Sequence, residues 1–227
     1  MQPTPLATTV RPYAPGDSFN RIHWRSTARL GEIQVKEFDL EQTADVWLYV
    51  DLDAPAQAGQ GDVSTVEEAL RVAASIAHDA LEENRAVGLT TSGHRLVTIQ
   101  ADRGPRQRQK IMQLLAAVDG DGGTPLAEVL LQGLPKLRRG MTAVLITPSR
   151  DRHWVRALTP LRGRGVTAVV VALDATSYDF FPHRVPQDDP HAAQAEQEQR
   201  ALRFALAEYG LKTYEVHAGD SLGAVLA

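Results

Sequence analysis

Three short stretches hold side chains whose types and spacing suit chemistry. Asp51-Leu52-Asp53 closes the apolar run Val46-Trp47-Leu48-Tyr49-Val50. Residues i and i+2 share one face of an extended chain, so the two carboxylates can converge on one point. Unpaired, they repel and the proton affinity of one rises; a divalent cation relieves that repulsion. Gly122-Gly123-Thr124-Pro125 predicts a helix start with Thr124 as N-cap, Pro125 at the first helical position and free backbone N–H donors. Thr147-Pro148-Ser149 ends another apolar run. Oxygen donors of this kind suit magnesium or manganese, which makes Asp51, Asp53 and Thr124 a candidate metal site. The alternative at this point is that Asp51 and Asp53 only accept hydrogen bonds from local backbone N–H groups.

A second set opens the chain. Arg11, Tyr13, Asp17, Arg21, His23, Trp24, Arg29 and Lys36 crowd long polar and aromatic side chains into one segment and are candidates for binding an anion or a partner. Pro15-Gly16-Asp17 reads as a turn. Asp17 or Ser18 then caps a helix running to Leu30, Gly31 stops it, and 32–38 forms a short strand. Arg21, Arg25 and Arg29 fall at four-residue spacing, one basic stripe on that helix. The structural use of the segment is a stripe paired with acidic surface and a Trp24 that anchors the helix by packing.

The elements that must position these groups follow from periodicity. A continuous apolar run such as 46–50 is a strand buried on both faces. Ser64-Thr65-Val66-Glu67 is a capping box that opens a helix through Leu81. Strands at 87–91 and 95–100 flank the hairpin signal Ser92-Gly93-His94. A helix over 106–118, strands at 143–147 and 166–173 with a helix at 152–162 between them, a long loop at 174–190, a helix over 192–209 and a last strand at 211–216 complete the order. Alternation of this kind predicts an α/β fold: a doubly wound, mostly parallel sheet with helices on both faces and one antiparallel strand. The expected organisation is a segment, 1–44, packing on a main domain, 45–227.

Bulk properties exclude whole classes. The 227 residues contain no cysteine, which removes disulfides, thiolate metal sites and a Cys nucleophile. A net charge of −4 argues against nucleic acid as a partner. That charge is uneven: nine acidic residues stand against Arg71 alone from Asp45 to Glu83, and the stretch from Ala101 to Gly165 is strongly basic. A polarised surface of this kind orients a protein partner. No apolar run approaches the about 20 residues of a membrane span. Neither glycine-rich phosphate loop occurs, the histidines show no paired metal spacing, and no serine sits in a nucleophile elbow.

The pattern Arg11-x-Tyr13-x-x-Gly16-Asp17, Ile22-His23-Trp24, Ala28-Arg29 and Val35-Lys36-Glu37 resembles the signature of the bacterial domain-of-unknown-function 58 family. The remainder resembles the von Willebrand factor A-like domain that follows it there, so the resemblance covers nearly the whole chain. It implies a partnership with a MoxR-type AAA+ ATPase and membrane helices ahead of the signature. The chain is therefore expected to be a cytoplasmic, soluble part of a longer, membrane-tethered protein, with membrane contact only through segments absent from it. The usual metal pattern of a von Willebrand A-like domain is Asp-x-Ser-x-Ser, a Thr from a second loop and an Asp after the fourth strand. Here Asp51 and Thr124 match, Asp53 and Pro55 stand at the two serines, and Pro148 stands at the last Asp. The resemblance thus implies a degenerate site that holds magnesium or manganese weakly, and no other cofactor.

The leading expectation is a non-enzymatic protein-interaction module that assembles or remodels a complex with the ATPase. One alternative is a magnesium-dependent phosphohydrolase of haloacid dehalogenase type, with Asp51 as nucleophile, Asp53 as general acid and Asp188-Asp189 as its acidic metal motif. The other is a metal-independent structural scaffold.

Overall fold

The structure, a computed structural model, describes residues 9–14, 22–37, 44–183 and 190–225. The chain divides into two units, Met1–Thr43 and Ala44–Ala227.

In the first unit, β1 (Thr9–Pro12) precedes α1 (Trp24–Leu30) and β2 (Gln34–Glu37). The strands pair antiparallel, with Arg11 opposite Val35 and Val10 opposite Lys36. Ile22 bridges to Val35 and the His23 N–H donates to the Gln34 carbonyl at 2.7 Å. The backbone at 22–23 is therefore spent on the sheet, and α1 starts later than a cap at Asp17 or Ser18 requires. His23 is the cap: its Nδ1 accepts the Ser26 N–H at 3.1 Å. Gly31 ends the helix as expected, in the left-handed region at φ 74° where a side chain is strained, with its N–H on the Thr27 carbonyl. Trp24 does not anchor the helix, since it is 69% exposed, and α1 buries none of its residues.

The second unit begins with β3 (Val46–Val50). A ribbon of β4 (Gly59–Gln60) and β5 (Val63–Ser64) leads into α2 (Thr65–Glu82), whose N-cap Ser64 accepts the Glu67 N–H at 3.3 Å. Next come β6 (Val87–Ser92), β7 (Leu96–Asp102), α3 (Pro105–Leu115), α4 (Leu126–Gly133) and β8 (Thr142–Thr147). The order ends with α5 (His153–Ala157), α6 (Thr159–Gly163), β9 (Thr167–Leu173), α7 (Ala175–Phe180), α8 (Pro190–Glu208), β10 (Lys212–Val216) and α9 (Leu222–Val225). Apart from the antiparallel β4–β5 ribbon, the described strands of this unit form one six-stranded sheet in the order β10-β9-β8-β3-β6-β7. Every pair is parallel except β6–β7.

Strand β3 lies at the centre, and successive side chains of a strand point to opposite faces. Val46, Leu48 and Val50 enter one core with Ala69, Val72 and Ala73 of α2 and Ile111 of α3. Trp47 and Tyr49 enter the other core with Val129 and Leu130 of α4, Trp154 of α5 and Leu202 of α8. Both faces are covered, so the run has no polar position. Each fully buried side chain of this size contributes about 1.5–3 kcal/mol.

Three local readings change. Helix 152–162 is two short helices, because Pro160 has no N–H to continue the first. The loop at 174–190 contains α7, capped by Asp174, whose Oδ1 accepts the Thr176 N–H at 3.2 Å. Helix α4 starts one residue late: Pro125 is extended at ψ 144° and is itself the N-cap, so Thr124 makes no capping bond.

Candidate functional site

Parallel register brings the ends of β3 and β8 side by side. Val50 pairs with Ile146, and the Asp51 N–H continues the ladder onto the Ile146 carbonyl at 3.0 Å. The next residues, Asp51 and Thr147, then face each other. The Thr147 hydroxyl donates to Asp51 Oδ2 at 2.6 Å, and the Asp53 N–H donates to Oδ1 at 3.2 Å. Asp51 is 1% exposed. Burial pushes its pKa up to about 6; the bonds from Thr147 and Asp53 pull against that, and the Asp53 charge adds to it. Thr147 Oγ1 also accepts the Ser149 N–H at 2.9 Å, which fixes the chain where it leaves β8.

The loop before α4 docks on the same end of the sheet. Asp53 and Gly122 form a parallel bridge. The Gly122 N–H donates to the Leu52 carbonyl at 3.0 Å, and the Ala54 N–H donates to the Gly122 carbonyl at 2.8 Å. A Cβ at Gly122 would lie 1.9 Å from the Ser92 carbonyl oxygen and 2.6 Å from that of Leu52, so only glycine permits this approach. Asp53 and Thr124 are half-buried on this edge, and burial raises the Asp53 pKa.

Gln57, which residue-type reading passed over, sits beneath both loops. Its Nε2 donates to the carbonyls of Asp51 and Asp53 at 3.1 and 3.2 Å, and its Oε1 accepts the Thr65 hydroxyl at 2.8 Å. No local pattern marks a lone glutamine after a turn; only the folded loop reveals its use.

Among the described residues, no group of three or more His, Asp or Glu side chains is placed to hold a metal ion. Pro55 and Pro148, at two of the expected ligand positions, have no side-chain donor. Beyond Ser149 the edge continues into a groove of about 910 Å³ between the start of α5 and α8, lined by Arg150, Arg152, His153, Gln194 and Glu198 among others. Arg150 is held by Thr176 at 3.0 Å and lies 3.9 Å from Glu198.

The other candidates lie in the first unit. Tyr13 follows β1 and is half-buried, with its N–H on the Ile33 carbonyl at 2.8 Å. His23 caps α1, Trp24 and Arg29 are exposed on α1, and Arg11 and Lys36 lie in β1 and β2. Asp17, Arg21, Asp188 and Asp189 lie outside the described residues.

Residues 9–185 match the family model described as a protein of unknown function, DUF58. The chain belongs to the DUF58 family. This DUF58 chain is 25% identical over 142 residues to the uncharacterized protein YeaD of Bacillus subtilis (strain 168), a match covering 62% of the chain and 34% of YeaD. Among solved structures it is similar to the conserved hypothetical protein BatB of Bacteroides thetaiotaomicron, at 14% identity and a TM-score of 0.52 over 81% of this chain and 94% of that one. The von Willebrand A domain of SpRpn10 aligns at 9% identity and a TM-score of 0.49, over 81% and 93% of the respective chains. The DUF58 chain has an α/β fold, a mostly parallel sheet flanked by helices, of the kind seen in BatB. Among its described residues, no helix is long and apolar enough to cross a membrane.

Proposed function

We propose that this DUF58 chain is a non-enzymatic protein-interaction module that meets its partner with the carboxyl edge of its sheet. The partner in this reading is a MoxR-type AAA+ ATPase, as the family resemblance implies, met beside a membrane to which other segments tether the protein. The observation that carries the reading is the division of labour at the edge. Asp51 is sealed behind two hydrogen bonds, while Asp53 and Thr124 lie at the surface and the groove of Arg150 and Arg152 extends it. Such an edge offers polar contacts to a partner and a rigid base beneath them. The uneven charge of the chain supports an oriented encounter.

A phosphohydrolase needs a carboxylate oxygen that a phosphorus atom can reach. Asp51 is 1% exposed and each of its oxygens already accepts a hydrogen bond, so the geometry favours the interaction module.

The test is binding of a purified MoxR-type ATPase to the immobilised chain. Asp53→Arg combined with Thr124→Arg is expected to weaken capture about tenfold or more, as bulky charge at an interface centre does, with the melting temperature unchanged. Capture that ignores the double substitution would place the interface elsewhere; no capture of any MoxR-type ATPase would remove that partner.

A further inference from the structure

The loops at the carboxyl edge of the sheet are tied together by one side chain. We propose that Gln57 is the positioning residue that closes the carboxyl edge, its amide nitrogen standing where a cation would meet the loop oxygens, so that the edge is assembled without divalent metal.

Three segments meet on Gln57. Its Nε2 donates to the Asp51 and Asp53 carbonyls at 3.1 and 3.2 Å, which uses both amide hydrogens. Its Oε1 accepts from Thr65 at the start of α2 at 2.8 Å, and Thr65 Oγ1 accepts the Ala58 N–H at 2.9 Å, closing the turn between them. The loop before α4 packs on the same side chain: a Cβ at Gly120 would lie 3.3 Å from Gln57 Cγ and 2.4 Å from Val66 Cγ2. Two carbonyl oxygens converging on one point are the kind of ligand a hard cation takes. Here a neutral amide donates one hydrogen to each of them.

The neighbouring donors fit the same conclusion. Asp51 spends one oxygen on Thr147 and the other on the Asp53 N–H. Pro55 and Pro148 contribute no side-chain oxygen. A cation entering here would have to displace the Gln57 amide. The inference concerns the edge of the proposed interaction module but does not depend on any partner.

The experiment is a titration of the full chain with manganese, read by calorimetry and by paramagnetic broadening of backbone amide signals. The wild-type chain is expected to show no saturable binding up to about 1 mM, the weak end of protein sites for hard cations. Saturable binding that disappears in Asp51→Asn overturns the proposal. Gln57→Met keeps length and removes the amide; its amide exchange at Asp53, Ala54 and Gly122 is expected to speed up severalfold while the rest of the sheet stays protected. Unchanged exchange at those three amides overturns the clasp. Gln57→Glu removes both donors and adds a carboxylate beside Asp51 and Asp53, and is expected to gain manganese binding. A chain that gains none shows that the amide does not hold a cation's place. Loss of partner capture with wild-type metal indifference intact bears only on the interaction reading.

Discussion

The Thr147 hydroxyl donates to Asp51 Oδ2 across 2.6 Å, although the two residues are 96 apart in the chain. The bond joins the ends of β3 and β8 and leaves a buried carboxyl with a fixed direction. Thr147→Val keeps the shape and removes the donor. A buried charged acceptor that loses a partner costs about 1–3 kcal/mol, so the unfolding free energy from urea titration at neutral pH is expected to fall by that amount. The loss shrinks in acid, where the carboxyl is neutral. An unchanged midpoint would mean that the bond contributes nothing net.

The pH dependence has a definite sign. Asp51 has its pKa pushed from 3.8 up to about 6 in the fold, so the native state holds this proton more tightly than the unfolded chain. Its contribution to stability is therefore fully present below about pH 4 and is lost as pH rises through about 6. The ionised group costs the native state about 3 kcal/mol at neutral pH. Asp51→Asn removes this titration. Relative to wild type, the variant is expected to gain about 2–3 kcal/mol between pH 4 and pH 7 in urea unfolding. A constant difference across that window would mean that Asp51 titrates near its ordinary value.

Gly122→Ala would drive a Cβ to within 1.9 Å of the Ser92 carbonyl oxygen. Backbone atoms on both sides leave no flexible neighbour to give way, so the loop must lift off the sheet. The expected cost is about 2 kcal/mol or more, with faster amide exchange at Gly122 and Ala54 and weaker partner capture. Thermal unfolding at wild-type temperature with a crystal structure of unchanged loop position would refute this.

Trp24→Ala is expected to change stability by no more than about 0.5 kcal/mol, because the indole is 69% exposed. Chemical denaturation of the full chain measures it. A loss of several times that value would mean that Trp24 is buried in solution. A loss of partner capture without loss of stability would instead assign Trp24 to recognition.

The chain's local patterns determined the architecture. The unbroken run Val46–Val50 read as a strand covered on both faces, and it is one. The Ser64 cap opened α2, the hairpin at 92–94 produced the antiparallel strand, and Gly31 stopped α1. These features depend on neighbours a few residues away, which composition and periodicity record. Short elements escaped for the same reason: α7, at six residues, is too brief to show a period. The start of α1 was misplaced because the Ile22–Val35 bridge, a pairing with a distant strand, overrides the cap signal. At the candidate site, residue types marked Asp51, Asp53 and Thr124, but only tertiary structure decided their exposure. Parallel register set Thr147 against Asp51, the contact at Ser92 required Gly122, and the loop folded back onto Gln57. Burial and long-range hydrogen bonds depend on which strands become neighbours, and that is settled by packing of the whole sheet rather than by any one stretch of chain.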